Sequence, residues 1–470
     1  MMRYVSTRGE APPRDFEGVL LAGLAEDGGL FVPDAWPELS PAEWRAMRGL
    51  PYPDLAARIV GLFAPGPWPG EAALLRMCRE AYATFGHAAV APLVQLDART
   101  HALELFHGPT LAFKDVAMQL LGRLFDAALA RRGERATIVG ATSGDTGSAA
   151  IEALRDRAAL DVVMLHPQGR TSEVQRRQMT TVLSPNIRNL AVRGTFDDCQ
   201  DLVKAMFADA PFRAEMRLSA VNSINWARVA AQVPYYAAAA LTLGAPDRPV
   251  CFAVPTGNFG NVLAAWVARR MGLPVERLVV GSNRNDILAR FLASNDMSAR
   301  AVEPSLSPSM DIGVSSNFER LLFEMLGRDA PATAAAVRAF RAGGRMPVPD
   351  AAWRAATSLF TGAALSDEAT LDEMRRVHAA TGWLPDPHTA TATAAARARA
   401  PRDAGVPVVV AATAHPAKFP DAAERAVGLR PALPARLADL YAREERYAVV
   451  PPDLGEVEAA VRGHALRNAA

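Results

Sequence analysis

Apolar and polar positions along this chain change rhythm near residue 100. Before it, helically spaced stretches are broken by Pro and Gly, as in the run 63–70. After it, short apolar runs alternate with segments whose apolar residues share one helical face. Leu103–Phe106 predicts a strand. Phe113–Ala130 predicts an amphipathic helix, with apolar residues at 117, 120, 121, 124, 125 and 128. Ala136–Gly140 predicts a strand, followed by a turn and a helix from Ser148. Strands are expected at Asp161–Leu165, Asn189–Val192, Val250–Val254, Leu278–Gly281 and Val408–Ala411, with helices at Ser172–Val182, from Phe196 and at Val262–Met271. Such alternation predicts an α/β fold with mostly parallel sheets flanked by helices. Ligands in such folds lie at the carboxyl ends of the strands. The segment 285–345 is less regular. The expected division is a mainly helical N-terminal domain at 1–95, a central α/β region at 96–430 whose smaller subdomain is roughly 130–230, and an appended helix–strand–helix segment at 431–470.

Composition narrows the class. The chain has 470 residues, half of them hydrophobic, which suits a globular protein of more than one domain. Lys plus Arg is 51 and Asp plus Glu is 50, so no overall field attracts a polyanion, and no nucleic-acid partner is expected. Cys78, Cys199 and Cys251 are too few and too scattered for a disulfide framework. Residues 1–8 are polar, so no signal peptide is expected. Val233–Leu243 is too short and Ala-rich to span a bilayer. These features predict a cytoplasmic protein without membrane association. The histidines show no metal-ligand spacing, so no metal is expected.

Five runs carry candidate chemistry. In the run 107–115 (HGPTLAFKD), Lys114 falls in the first turn of a helix, where the dipole disfavours an ammonium. A Schiff-base lysine needs that bias; a surface lysine at a helix start is the bland alternative. The run 140–148 (GATSGDTGS) follows a strand and opens a helix. Its small residues suit an anion or simply a tight turn. It is neither a P-loop nor a nucleophile elbow. The run 255–261 (PTGNFGN) is a second such cradle, and two together suggest two anionic groups. In the run 412–419 (ATAHPAKF), Thr413 offers a neutral hydroxyl, and His415 is a base, a ligand or a helix cap. In the run 222–228 (NSINWAR), Arg228 suits a phosphate or carboxylate, or a structural ion pair.

With these runs on the page, the chain resembles the threonine synthases, pyridoxal-phosphate (PLP) enzymes of fold type II. The resemblance extends to the runs 4–8, 23–33, 308–312, 315–320 and 386–390. It implies that Lys114 carries PLP as a Schiff base and acts as the catalytic base. Gly257, Asn258, Phe259, Gly260 and Asn261 are then expected to cradle the PLP phosphate. Thr413 is expected at the pyridine nitrogen, and Asp145 near the 3'-oxygen, where many relatives carry Asn. Thr142, Ser143, Gly144 and Thr146 are expected to hold the substrate carboxylate, and Asn225 and Arg228 the substrate phosphate. The implied reaction converts O-phospho-L-homoserine and water to L-threonine and phosphate, by γ-elimination and β-hydration, in a monomer or homodimer. The alternatives are a related lyase that releases 2-oxobutanoate and a non-catalytic paralogue that binds PLP or a phosphorylated ligand.

Overall fold

The computed structural model describes residues 2–467. Two strands, β1 (Tyr4–Ser6) and β2 (Phe31–Pro33), pair antiparallel near the N-terminus. The remaining strands form two sheets. β3 (Leu93–Gln95), β4 (Thr100–Glu104), β9 (Val250–Pro255), β10 (Val275–Ser282), β11 (Phe360–Ala364) and β12 (Val408–Ala412) form the larger, in the order β11-β10-β9-β12-β4-β3. All its pairs are parallel except β3 with β4. β5 (Ala136–Ala141), β6 (Leu160–Pro167), β7 (Ile187–Val192), β8 (Leu218–Ser219) and β13 (Ala448–Val450) form the smaller, wholly parallel, in the order β13-β7-β6-β5-β8.

The sequence explains these strands. β6 and β9 are buried along their whole length. Their runs DVVML and VCFAV are apolar because helices cover both faces. The first expected strand is shifted: residues 100–104 pair, and Phe106 lies beyond the strand in the loop toward Lys114. The helix expected from Ser148 starts at Asp145, because the Thr142 hydroxyl accepts the N–H groups of Gly144 and Gly147 and closes its first turn.

One expectation needs correction. The helix Lys114–Arg132 is not amphipathic in its first turns. Every residue from Asp115 to Gly122 is buried, polar Gln119 included. This helix packs against the helices Glu71–Tyr82, Asp145–Leu154 and Trp226–Ala230, so no side of its N-terminal half meets water. Partial exposure begins at Arg123 and grows toward the last turn, where Arg131 and Arg132 pair with Glu17.

The N-terminal region contributes helices Phe16–Ala22, Pro41–Arg45, Tyr52–Phe63 and Glu71–Tyr82. Its Trp44, Phe31, Ile59 and Phe63 join the same apolar core as the Lys114 helix. Arg8 and Thr7 both bind Glu319, with an Arg8–Glu319 separation of 2.9 Å. Val457 and Val461 of the helix Leu454–Arg467 enter the core under the smaller sheet.

Candidate active site

Lys114 is aimed by the loop before it. Leu111 has a positive φ of 63°, uncommon for a branched side chain and a mark of a loop held by its surroundings. His415 N–H donates to Leu111 O, and Phe113 N–H to Thr413 O, so the loop is stitched to the segment after β12. Asp115 accepts the Thr110 N–H at 2.8 Å and the Thr110 hydroxyl at 2.7 Å, which closes the helix start. Lys114 thus begins a fixed helix with its amine facing the loop after β5.

That amine meets a buried charge cluster. Lys114 Nζ lies 3.2 Å from Asp145 Oδ2 and 3.1 Å from Ser309 Oγ. Ser309 Oγ donates to the same Oδ2 at 2.9 Å. The other oxygen, Oδ1, accepts Gln175 Nε2 at 2.9 Å and faces Lys418 Nζ at 2.9 Å. Burial pushes the Lys114 ammonium down; Asp145 opposes the shift, while Lys418 and Arg228 add to it, and the net direction is downward. Burial pushes the Asp145 carboxyl up, but Lys114, Lys418 and His388 outweigh it and hold the group well below the usual carboxylate range. His388 Nδ1 contacts Asp386 at 2.8 Å, and its Nε2 accepts the Ser309 N–H at 3.3 Å.

Two runs of small residues border the cluster. At the start of the helix Gly260–Arg270, none of the N–H groups from Gly257 to Asn261 has a partner among the described residues. Ser315 and Asn317 hold the carbonyls of Gly257 and Asn258 from behind, which turns those N–H groups outward. Phe259 takes the left-handed conformation at φ 65°, and its ring is anchored in the core against Phe318 and Phe360. Only its backbone can serve a ligand. The Asn261 side-chain carbonyl accepts from the Tyr235 and Tyr236 hydroxyls, and its buried Nδ2 has no partner among the described residues. A Cβ on Gly257 would lie 3.1 Å from Met310 Cα and 3.2 Å from Ser309 O, so the loop passes flush against the segment that carries Ser309. Partnerless N–H groups at a helix start fit the phosphate of PLP. Ser309 therefore touches both that cradle and Lys114.

The second run, 142–146, begins the helix that carries Asp145. Among the described residues the N–H groups of Ser143, Asp145 and Thr146 have no partner, nor do the half-buried Ser143 and Thr146 hydroxyls. The Thr142 hydroxyl, expected on a ligand, instead accepts two N–H groups of its own loop. Gly144, at φ 142°, has no room for a side chain, since a Cβ would lie 2.5 Å from Gln175.

The remaining expectations divide. Arg228 is buried and has no carboxylate partner among the described residues; there it donates only to Val221 O, at 3.3 Å, and burial pushes its pKa down to about 10. A buried guanidinium so weakly partnered is costly, and an anion beside it would offset that cost. Asn225 differs from expectation. Its amide donates to Leu20 O at 2.8 Å and accepts the Ala227 N–H at 3.0 Å, so it caps a helix and tethers the N-terminal region. The Thr413 hydroxyl has no partner, while its backbone is fixed by Phe113 and Thr389. His415 caps the turn Pro416–Lys418 through Nδ1, and burial lowers its pKa to about 4. It is a cap rather than a base.

Lys418, Ser309, Gln175 and His388 were not assigned from sequence. Lys418 had a readable signal. Lys114, Lys204 and Lys418 are the chain's lysines, set among many arginines, so a lysine inside a conspicuous run invites a reason.

Known proteins resemble this chain over almost its whole length. Residues 3–82 match the family described as "Threonine synthase N terminus", 86–346 "Pyridoxal-phosphate dependent enzyme" and 389–461 "Threonine synthase, C-terminal". Threonine synthase of Pseudomonas aeruginosa is 55% identical over 99% of both chains. A PLP-bound threonine synthase from Brucella melitensis superposes with a TM-score of 0.96 at 52% identity, covering 99% of this chain and 100% of that one. The yeast threonine synthase structure gives a TM-score of 0.93 at 37% identity, with 99% of each covered.

Proposed function

This chain belongs to the threonine synthase family of PLP-dependent lyases, and from that premise we propose how its own residues carry out the conversion of O-phospho-L-homoserine to L-threonine and phosphate. The observation that carries the reading is the Lys114 amine, buried and biased toward its free form, next to two runs of partnerless N–H groups. Gly257–Asn261 hold the cofactor phosphate through backbone N–H groups. The Thr413 hydroxyl meets the pyridine nitrogen. The N–H groups at Ser143, Asp145 and Thr146 hold the substrate carboxylate, with the Ser143 and Thr146 hydroxyls beside them. Arg228 takes the substrate phosphate and stabilises it as it departs from Cγ.

Bound PLP supplies an electron sink that makes the Cα proton acidic. Lys114 Nζ removes that proton and later returns it to Cα. Asp145, ionised beside it, holds Nζ in place between transfers. The helices around Lys114 keep bulk water from its face, which limits side reactions such as early release as 2-oxobutanoate. Every group named here lies on one chain, so a monomer or a homodimer would serve. Three buried free thiols support a reducing compartment such as the cytoplasm. No helix among the described residues is long and apolar enough to cross a membrane.

The test is product analysis with O-phospho-L-homoserine. Threonine and phosphate in equal amounts are expected. Phosphate with 2-oxobutanoate would favour the rival lyase, and no phosphate release would reject both. In parallel, Lys114→Ala should lose the borohydride-reducible cofactor adduct; an adduct of unchanged size would remove Lys114 from its role.

A further inference from the structure

Lys418 is the most deeply buried cation of the site. It is fully buried and sits in the short turn Pro416–Lys418 just after β12. An ammonium loses much solvation on such burial and needs close compensation. Lys418 has it twice: Nζ faces Asp145 Oδ1 at 2.9 Å and donates to Thr110 O at 2.7 Å. These partners lie on different elements. Asp145 begins the helix after β5, and Thr110 belongs to the loop that aims Lys114.

The carboxylate is therefore divided. One oxygen is taken by Lys418 and Gln175, the other by Lys114 and Ser309. Without Lys418 the Asp145 carboxylate would keep one cation and could rotate onto it. We propose that Lys418 is a positioning residue for the reaction: it pins Asp145 through Oδ1 and the Lys114 loop through Thr110 O, so that Lys114 shares a carboxylate already half-neutralised and remains free to leave it. The inference rests on the reading of Lys114 as the reacting amine.

The electrostatic sense follows from the groups that face the cluster. Asp145 draws Lys114 toward its ammonium form, whereas Lys418 and Arg228 oppose that charge. Asp145 faces Lys114, Lys418, Gln175, Ser309 and His388, and Asp115 lies near Lys418. Removing the Lys418 charge leaves Lys114 the sole close lysine partner of Asp145. Lys114 should then hold its proton to higher pH.

The experiment reads Lys114 directly, without turnover. Apoprotein of the wild type, Lys418→Met and Lys418→Arg is pulse-labelled with acetic anhydride across pH, and labelling at Lys114 is quantified by peptide mass spectrometry, with Lys204 as the exposed internal reference. In K418M the midpoint for Lys114 should move up by roughly one unit or more, the size a neighbouring charge commonly produces. K418R should keep the wild-type midpoint within a few tenths of a unit. An unchanged or lowered midpoint in folded K418M overturns the proposal, because a purely structural lysine would lower melting temperature without moving that midpoint. Should K418M not fold, Asp145→Asn provides the second reading: its Lys114 midpoint should fall below wild type, and an unchanged midpoint overturns the proposal. This outcome is separate from the adduct test, which asks whether Lys114 binds the cofactor at all.

Discussion

Buried charge without a fixed partner is costly, so the few residues that show it are informative. Arg228 is one. It keeps its charge at neutral pH even with a pKa near 10, and it has no carboxylate to satisfy it. An arriving phosphate would complete it. Arg228→Leu should therefore raise KM for O-phospho-L-homoserine by roughly tenfold to a hundredfold, the worth of a charge-assisted hydrogen bond. Inhibition by inorganic phosphate should weaken in parallel. Steady-state kinetics with added phosphate checks both, and a KM within twofold of wild type would assign Arg228 to structure. Asn225 shows the opposite case. In sequence, an asparagine that caps a helix and one that binds a ligand look alike, and only the bonds to Leu20 and Ala227 separate them.

Among the elements, the turn from β9 into the helix Gly260–Arg270 carries the sharpest demand. Its carbonyls are held by Ser315 and Asn317, and Phe259 accepts a left-handed backbone at a cost of roughly 1–3 kcal/mol. Gly257→Ala would press a methyl on the Met310 backbone at 3.1 Å and rotate the loop. Cofactor affinity should drop by roughly tenfold or more, equal to one lost charge-assisted bond. Titration of apoprotein with PLP by absorbance measures it, and unchanged affinity would mean the loop tolerates the shift. Elements of this kind were legible: apolar runs such as VCFAV announced strands, and the small-residue runs after them announced tight turns into helices. The strands β3 and β8 were not, because two or three residues carry no period. The central helix was misjudged for a related reason. A 3.6-residue pattern in its apolar positions looks one-sided, yet Gln119 is also buried. The turn that carries Lys114 and the two small-residue turns were readable from local sequence, whereas the Asp145 cluster joins residues 114, 145, 175, 309 and 418, and no local pattern spans such distances.

For the molecule as a whole, acid stability has a traceable source. His415 has a pKa of about 4 in the folded chain against 6.5 ordinarily, mainly through burial. Below 6.5 the unfolded chain takes a proton that the folded chain refuses until about 4. The neutral cap therefore favours folding fully above 6.5, and stability drains away as pH falls through that window, by about 3 kcal/mol for this group. His415→Asn, which retains a capping side chain, should flatten the loss between pH 6.5 and 4 in denaturant unfolding; an identical slope would refute the assignment. His166 and His464 shift in the same direction and should leave a residual slope. The bond from Lys418 to Thr110 has one more consequence, in time rather than space. Its ends are 308 residues apart in the chain, and β4, which leads to Lys114, has β12 as its parallel neighbour. At a synthesis rate of about 5–20 residues per second, Lys114 leaves the ribosome roughly 15–60 s before the residues that complete its pocket. A nascent chain halted before Val408 should carry no cofactor, so cofactor capture should mark a finished molecule and cannot guide its folding from the start.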